Sequence, residues 1–151
     1  IMKIEEAIKT MHPMGLTTKT VINLMYTSRA VEEAIQTVLK PHDLSIPQYN
    51  VLRILRGQKG QPANASTIQE RMVDKSSNTT RLIDKLIKKG WVRRQVCANN
   101  RRKVEIFITA DGLATLTELD PLTEANNEEL VCQFSNEELN TLNNLLDKLR
   151  S

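Results

Sequence analysis

Residues 66–109 read STIQERMVDKSSNTTRLIDKLIKKGWVRRQVCANNRRKVEIFIT, the pattern of a short helix, a tight turn, a longer helix and two strands joined by a basic hairpin. On a wheel of about 100° per residue, Leu82, Ile83, Leu86 and Ile87 of the longer helix gather on one side with the small Thr79. Ser77, Arg81, Asp84, Lys85 and Lys88 lie opposite, flanked by Asn78 and Thr80. One face therefore docks on a core. The other presents hydroxyls, an amide and a guanidinium, groups that suit base edges and phosphate oxygens in a major groove.

The charge pattern agrees. Residues 71–103 hold 11 Lys and Arg against two acids, Asp74 and Asp84, a net of +9. The whole chain has 21 basic and 18 acidic residues, so the remainder carries 10 against 16, a net of −6. The modest overall +3 thus conceals a strongly basic third on an acidic body. That asymmetry is the electrostatic footprint of a nucleic-acid-binding surface. A solvated basic face without a partner would not need to coincide with a helix-turn-helix and a cationic hairpin.

Within this stretch, Ser66 and Gln69 have the spacing of a capping box, which predicts a helix beginning there. Val73 to Ser76 form the turn, with Asp74 or Ser76 expected to cap the second helix, and Gly90 ends that helix at the position after its cap. Trp91–Val96 and Lys103–Ile108 both alternate as strands with one buried face do. Ala98-Asn99-Asn100 forms the turn between them, because Asn tolerates left-handed backbone angles. Arg101, Arg102 and Lys103 follow, giving a wing of a size to sit against the minor groove or flanking backbone.

Upstream, a long helix is predicted from Thr17 or Thr18 to Lys40, stopped by Pro41. Its apolar positions cover more than one stripe, so it needs two neighbours, one of them in a second chain. Ser45 starts the next helix, with Pro47 tolerated in its first turn and Gly57 as its stop, before a loop over 57–64. Residues 1–9 supply only a weak amphipathic turn or two, broken by His12-Pro13 and Gly15. Downstream, after Asp111-Gly112, a helix runs to about Leu130, and Pro121 within it predicts a kink or break. Phe134 to Leu139 combine a capping box with a hydrophobic staple. They launch a last helix whose Leu139, Leu142, Leu145, Leu146 and Leu149 form a candidate dimer seam, the alternative being a stripe packed on its own domain.

The length of 151 residues fits one domain with helical extensions, and five aromatics leave the core to Leu, Ile, Val and Met. No apolar run reaches the ~18 residues of a membrane span, and nothing at the N-terminus directs secretion. Cys97 and Cys132 are too few and too isolated for a disulfide framework or a metal site, so a reducing cytoplasm is the expected compartment. Cys132 beside Phe134 reads as interior filling. His12 and His42 lack partners at helical spacing, so no metal is expected. Enzymatic function finds no Gly-rich phosphate loop, no triad histidine and no paired carboxylates in an apolar setting, and no cofactor is expected. The adjacent Glu pairs are solvated helix faces.

Taken together, these segments resemble the MarR family of bacterial winged-helix transcription regulators over nearly the whole chain. Ser45-Ile46-Pro47-Gln48-Tyr49-Asn50-Val51-Leu52 is similar to the segment opening that family's second helix. Ser77 to Leu86, then Lys89-Gly90-Trp91-Val92-Arg93-Arg94, match its recognition helix and the start of its wing. Asn100-Arg101-Arg102-Lys103-Val104 stands where the family carries Asp-x-Arg, and Ile108-Thr109-Ala110-Asp111-Gly112 matches its Leu-Thr-x-x-Gly. The fold expected is mainly α with a small β-wing, a winged helix-turn-helix flanked by N- and C-terminal dimerisation helices. Its DNA-binding lobe spans approximately 45–110 and its dimerisation region approximately 17–41 and 111–151 of a single 1–151 chain.

The resemblance implies a cytoplasmic homodimer on pseudo-palindromic double-stranded DNA, commonly a repressor, regulated by a small molecule or oxidant between the dimer interface and the DNA lobe. It implies recognition-helix contacts from Ser77, Asn78, Thr80, Arg81 and Lys85, preceded by Ser76. Arg102 would be the wing arginine in the minor groove, flanked by Arg101 and Lys103. Asn100 departs from the usual Asp, so the charged bond that orients the wing arginines is missing here. Two rival readings stand beside this one: a winged-helix module that binds an acidic protein surface, and a redox-responsive regulator using Cys97, which lies among Arg93, Arg94, Arg101 and Arg102.

Overall fold

The computed structural model describes residues 1–151. Seven helices and one hairpin follow one another as α1 (Ile4–Ala7), α2 (Leu16–Leu39), α3 (Ile46–Gly57), α4 (Ala65–Arg71), α5 (Thr79–Lys88), β1 (Val92–Cys97), β2 (Asn100–Ile108), α6 (Ala110–Val131) and α7 (Asn136–Arg150). Helix α2 gives way to a 3-10 turn at Lys40–His42, so Pro41 redirects the chain rather than simply stopping it, and Asp43 turns it with a left-handed φ of 54°. Ser45 then starts α3 as expected, capping it reciprocally with Gln48.

The core sits in the lobe formed by α3, α4, α5 and the hairpin. Val51, Leu52 and Leu55 of α3 meet Ile68 and Met72 near α4, Ile83 and Leu86 of α5, and Val92 and Ile106 of the strands. Leu39 from α2 and Leu116 and Leu119 from α6 close it from the other side. The expected buried face of α5 is present, with Thr79, Ile83 and Leu86 buried and Leu82 and Ile87 half-buried against them. Burial of one such side chain stabilises by about 1.5–3 kcal/mol, so the apolar stripe is what seats this helix. A main-chain bridge between Ala63 and Ile106 adds a third edge to the β1–β2 ribbon.

Four local expectations need correction. Helix α4 starts at Ala65 and is capped by Asn64, whose Oδ1 accepts from Thr67 N at 2.7 Å. The Ser66–Gln69 box does not form because Gln69 is engaged elsewhere, with Thr79 Oγ1 and with the carbonyl of Lys75. Helix α3 includes Gly57; its reversal falls later, at Lys59 and Gly60, both with positive φ. Pro121 neither breaks nor ends α6, which is continuous from Ala110 to Val131. The ring lies on the exposed side, and the missing N–H leaves only one carbonyl without its usual partner. Cys132 is exposed at the end of α6, not interior.

The terminal helices are unlike the lobe. Of the 24 residues of α2 only Leu39 is buried, while Leu16, Val21, Met25, Tyr26 and Val31 are exposed. Helix α7 buries nothing at all; Leu142, Leu145 and Leu149 are exposed, as is Phe134 ahead of its reciprocal Ser135–Glu138 cap. No helix is long and apolar enough to cross a membrane.

Candidate nucleic-acid interface

Helix α5 is presented by a turn held at several points. Val73 N–H donates to Asn50 Oδ1 at 2.8 Å, fixing the turn to α3. Asp74 Oδ1 then accepts both Ser76 N–H at 2.9 Å and Ser76 Oγ–H at 2.6 Å. These bonds hold the Asp74 carboxyl below the usual carboxylate range. A depressed carboxyl contributes stability fully above its unfolded value and loses it only as pH falls through the lowered one, so the turn is intact at neutral pH. The helix itself is capped by Asn78, which accepts Arg81 N–H, rather than by Asp74 or Ser76. At the other end the expected glycine works as read. Gly90 has φ +78°, donates to the Ile87 carbonyl, and lets Trp91 N–H reach the Leu86 carbonyl.

Of the residues singled out from the sequence, Ser76, Asn78, Thr80, Arg81 and Lys85 are all exposed on or just before α5. Arg81 and Lys85 have no side-chain partner within the chain and are free to meet an external acceptor. Ser77 lies differently: its hydroxyl is enclosed and unpartnered, turned away from the exposed row. Asp84 is the acid on this face, and Arg94 of β1 neutralises it at 2.5 Å. The sequence lists both residues but does not reveal that they meet.

The hairpin has a feature the alternation conceals. Val92 to Val96 pair with Ile108 to Val104 in one continuous register, but Cys97 then pairs with Asn100. Arg101, Arg102 and Lys103 are therefore a three-residue bulge in β2, without partners across the ribbon. Asn100 Oδ1 accepts Arg102 N–H at 3.0 Å, which fixes the backbone of the bulge from its base. All three cations are exposed. Bulges re-aim side chains at the ends of ribbons, and here the result is a cationic tip. Nearby, Arg93 is spoken for, lying over the Phe107 ring at 4.0 Å and donating to Gln95 at 2.9 Å. Cys97 is half-buried at the strand end.

Two further contacts set how the lobe meets the rest of the chain. Arg56 of α3 forks onto Asp120 of α6 at 2.8 and 3.1 Å, and the carboxylate raises the guanidinium's pKa. Tyr49 Oη–H donates to Thr123 Oγ1 at 3.4 Å.

The MarR family model matches residues 44–104, which span α3 to the bulge of β2. The chain is 29% identical to the HTH-type transcriptional regulator PecS of Dickeya dadantii over 125 residues, 81% of this chain and 74% of PecS. A MarR transcription factor from Planctomyces limnophilus is 29% identical with a TM-score of 0.70, covering 90% of this chain and 98% of that one. The fold of Bordetella bronchiseptica BpsR, studied for regulation of its DNA binding by 6-hydroxynicotinic acid, superimposes with a TM-score of 0.79 at 20% identity, over 93% of this chain and 99% of that one.

Proposed function

We propose that the chain is a MarR-family winged-helix transcription regulator, a repressor acting as a homodimer on a pseudo-palindromic duplex, with its DNA affinity set by a small-molecule effector. The observation that carries this reading is the unspent charge of one surface. Arg81 and Lys85 on α5, and Arg101, Arg102 and Lys103 in the bulge, are exposed, while the one acid among them is already paired with Arg94. In this reading α5 enters the major groove, with Ser76, Asn78, Thr80, Arg81 and Lys85 along it, and the bulge places Arg102 against the minor groove. Ser77 supports the turn from inside rather than touching the duplex. The exposed apolar faces of α2 and α7 cover one another across two copies, which spaces the two α5 helices for half-sites one helical turn apart.

The test is fluorescence anisotropy with duplex from just upstream of the protein's own gene, titrated over salt, followed by random-sequence selection where that duplex does not bind. Affinity that falls steeply with salt, with a preferred sequence, is the expected result. Absence of any duplex binding at moderate salt rejects the reading and leaves a module for an acidic protein surface.

A further inference from the structure

Behind the C-terminal half of α5 lies an open groove of about 500 Å³, walled by the end of α2, the 43–45 turn and the start of α3. Its lining holds four lysines: Lys40 from the end of α2, and Lys85, Lys88 and Lys89 from the end of α5. Asp43 is the only acid there, and it is used, accepting Lys89 Nζ–H at 3.1 Å. Lys40, Lys85 and Lys88 make no ion pair within the chain. The neutral polar groups are also committed. Ser45 and Gln48 cap each other, and Gln36 Nε2–H donates to the Leu44 carbonyl at 3.3 Å. Leu44 is the only hydrophobic residue in the lining.

We propose that this groove binds a compact anion carrying two or more charges, of the phosphate or polycarboxylate kind, and that its occupation weakens DNA binding. A concave wall with one sign of charge focuses the field and concentrates counter-ions. Three unpaired ammonium groups beside committed neutral ones offer cationic donors. A ligand without negative charge leaves those ammonium groups unpaired, whereas a small polyanion finds a donor on each side. The size lies within the range of ligand sites, about 300–1,000 Å³. Lys85 is one of the proposed duplex contacts on α5, so an anion that draws it inward withdraws a cation from the duplex. The two ligands then oppose one another reciprocally. This last step rests on the DNA-binding reading above; the binding of the anion does not.

The experiment titrates the full chain calorimetrically with pyrophosphate and, separately, with citrate, each against sodium chloride of equal ionic strength. It is repeated with Lys40→Ala, a residue outside the proposed duplex contacts and exposed, so that its loss leaves the fold intact. Expected are one anion bound per chain, a loss of about tenfold or more in K40A, and unchanged DNA affinity of K40A without anion. Pyrophosphate should weaken wild-type DNA binding several-fold beyond chloride and leave that of K40A alone. Binding of only one of the two probes identifies the anion's chemistry as phosphate or carboxylate. The proposal is overturned if neither probe binds, if chloride reproduces the effect, or if K40A binds the anion as the wild type does. It is equally overturned if K40A weakens DNA binding without anion, since the groove then serves a duplex phosphate. If no duplex binds at all, the calorimetric arm still reads.

Discussion

Arg94 of β1 donates to Asp84 of α5 at 2.5 Å, tying together the two elements that face the duplex in the proposed reading. Both side chains are about half exposed, at 42% and 52%, so the pair adds at most ~1 kcal/mol to stability. Its larger effect is on charge. Asp84→Asn removes the carboxylate nearest the proposed groove and releases Arg94. The melting temperature should hardly change, while DNA affinity at low salt rises several-fold and the logarithmic salt slope steepens by about one contact. A fall in affinity would mean that the bond positions the wing and that this geometry outweighs the charge.

Arg81 and Arg102 should separate in kind. Arg81 lies on the helix and makes no side-chain bond inside the chain. Arg81→Ala should leave the fold untouched, cost about 1–3 kcal/mol of DNA binding and relax preference at one base pair. Arg102→Ala should weaken all duplexes more evenly and lower the salt slope by about one. Anisotropy against the preferred and a scrambled site reads both.

Asn78 has two possible duties, and one pair of variants divides them. Asn78→Ala removes the acceptor for Arg81 N–H and should lower stability by about 1 kcal/mol. Asn78→Asp restores the cap, and with it the melting temperature, but sets a negative charge beside the phosphates. Recovered DNA binding in N78D would show that Asn78 acts only as a cap.

A methyl group has no room at Gly112. An added Cβ there would lie 2.4 Å from the Trp91 carbonyl oxygen and 2.8 Å from Ile108 Cγ1. Because one of these atoms is backbone, Gly112→Ala should destabilise by about 3 kcal/mol, lowering the thermal midpoint by roughly 6–12 °C for a chain of this size. An unchanged midpoint would show that α6 slides freely along the wing.

The exposed stripe on α7 gives a test of assembly. Light scattering should return twice the 17.2 kDa of one chain. Leu145→Glu combined with Leu149→Glu should shift that mass to the monomer and abolish tight operator binding, while weak non-specific binding persists. A wild-type mass of one chain would remove the homodimer from the proposal.

What the sequence discloses follows from how local the physics is. The seating of α5 is readable because Leu82, Ile83, Leu86 and Ile87 repeat with the helix period, and Gly90 and Ser45 act on their immediate neighbours. Caps were legible only where no distant group competed. Gln69 is claimed by Thr79, ten residues on, so the nearer box is lost and Asn64 takes its place. The bulge at Arg101–Lys103 escapes alternation because it depends on which residue crosses from Cys97. The pairing of Asp84 with Arg94, the inward turn of Ser77 and the gathering of Lys40 with Lys85 and Lys88 depend on tertiary approach. No spacing along the chain announces them.

The attachment of the lobe to α6 has a mechanical consequence. Gly112 anchors the start of that helix under the wing, and the Arg56–Asp120 fork with the Tyr49–Thr123 bond anchors its middle to α3. Helix and lobe are thus pinned at two separated points. In the proposed homodimer, a small tilt of α6 would swing the tip of each wing through a larger arc, resetting the reach of the two lobes without bending either.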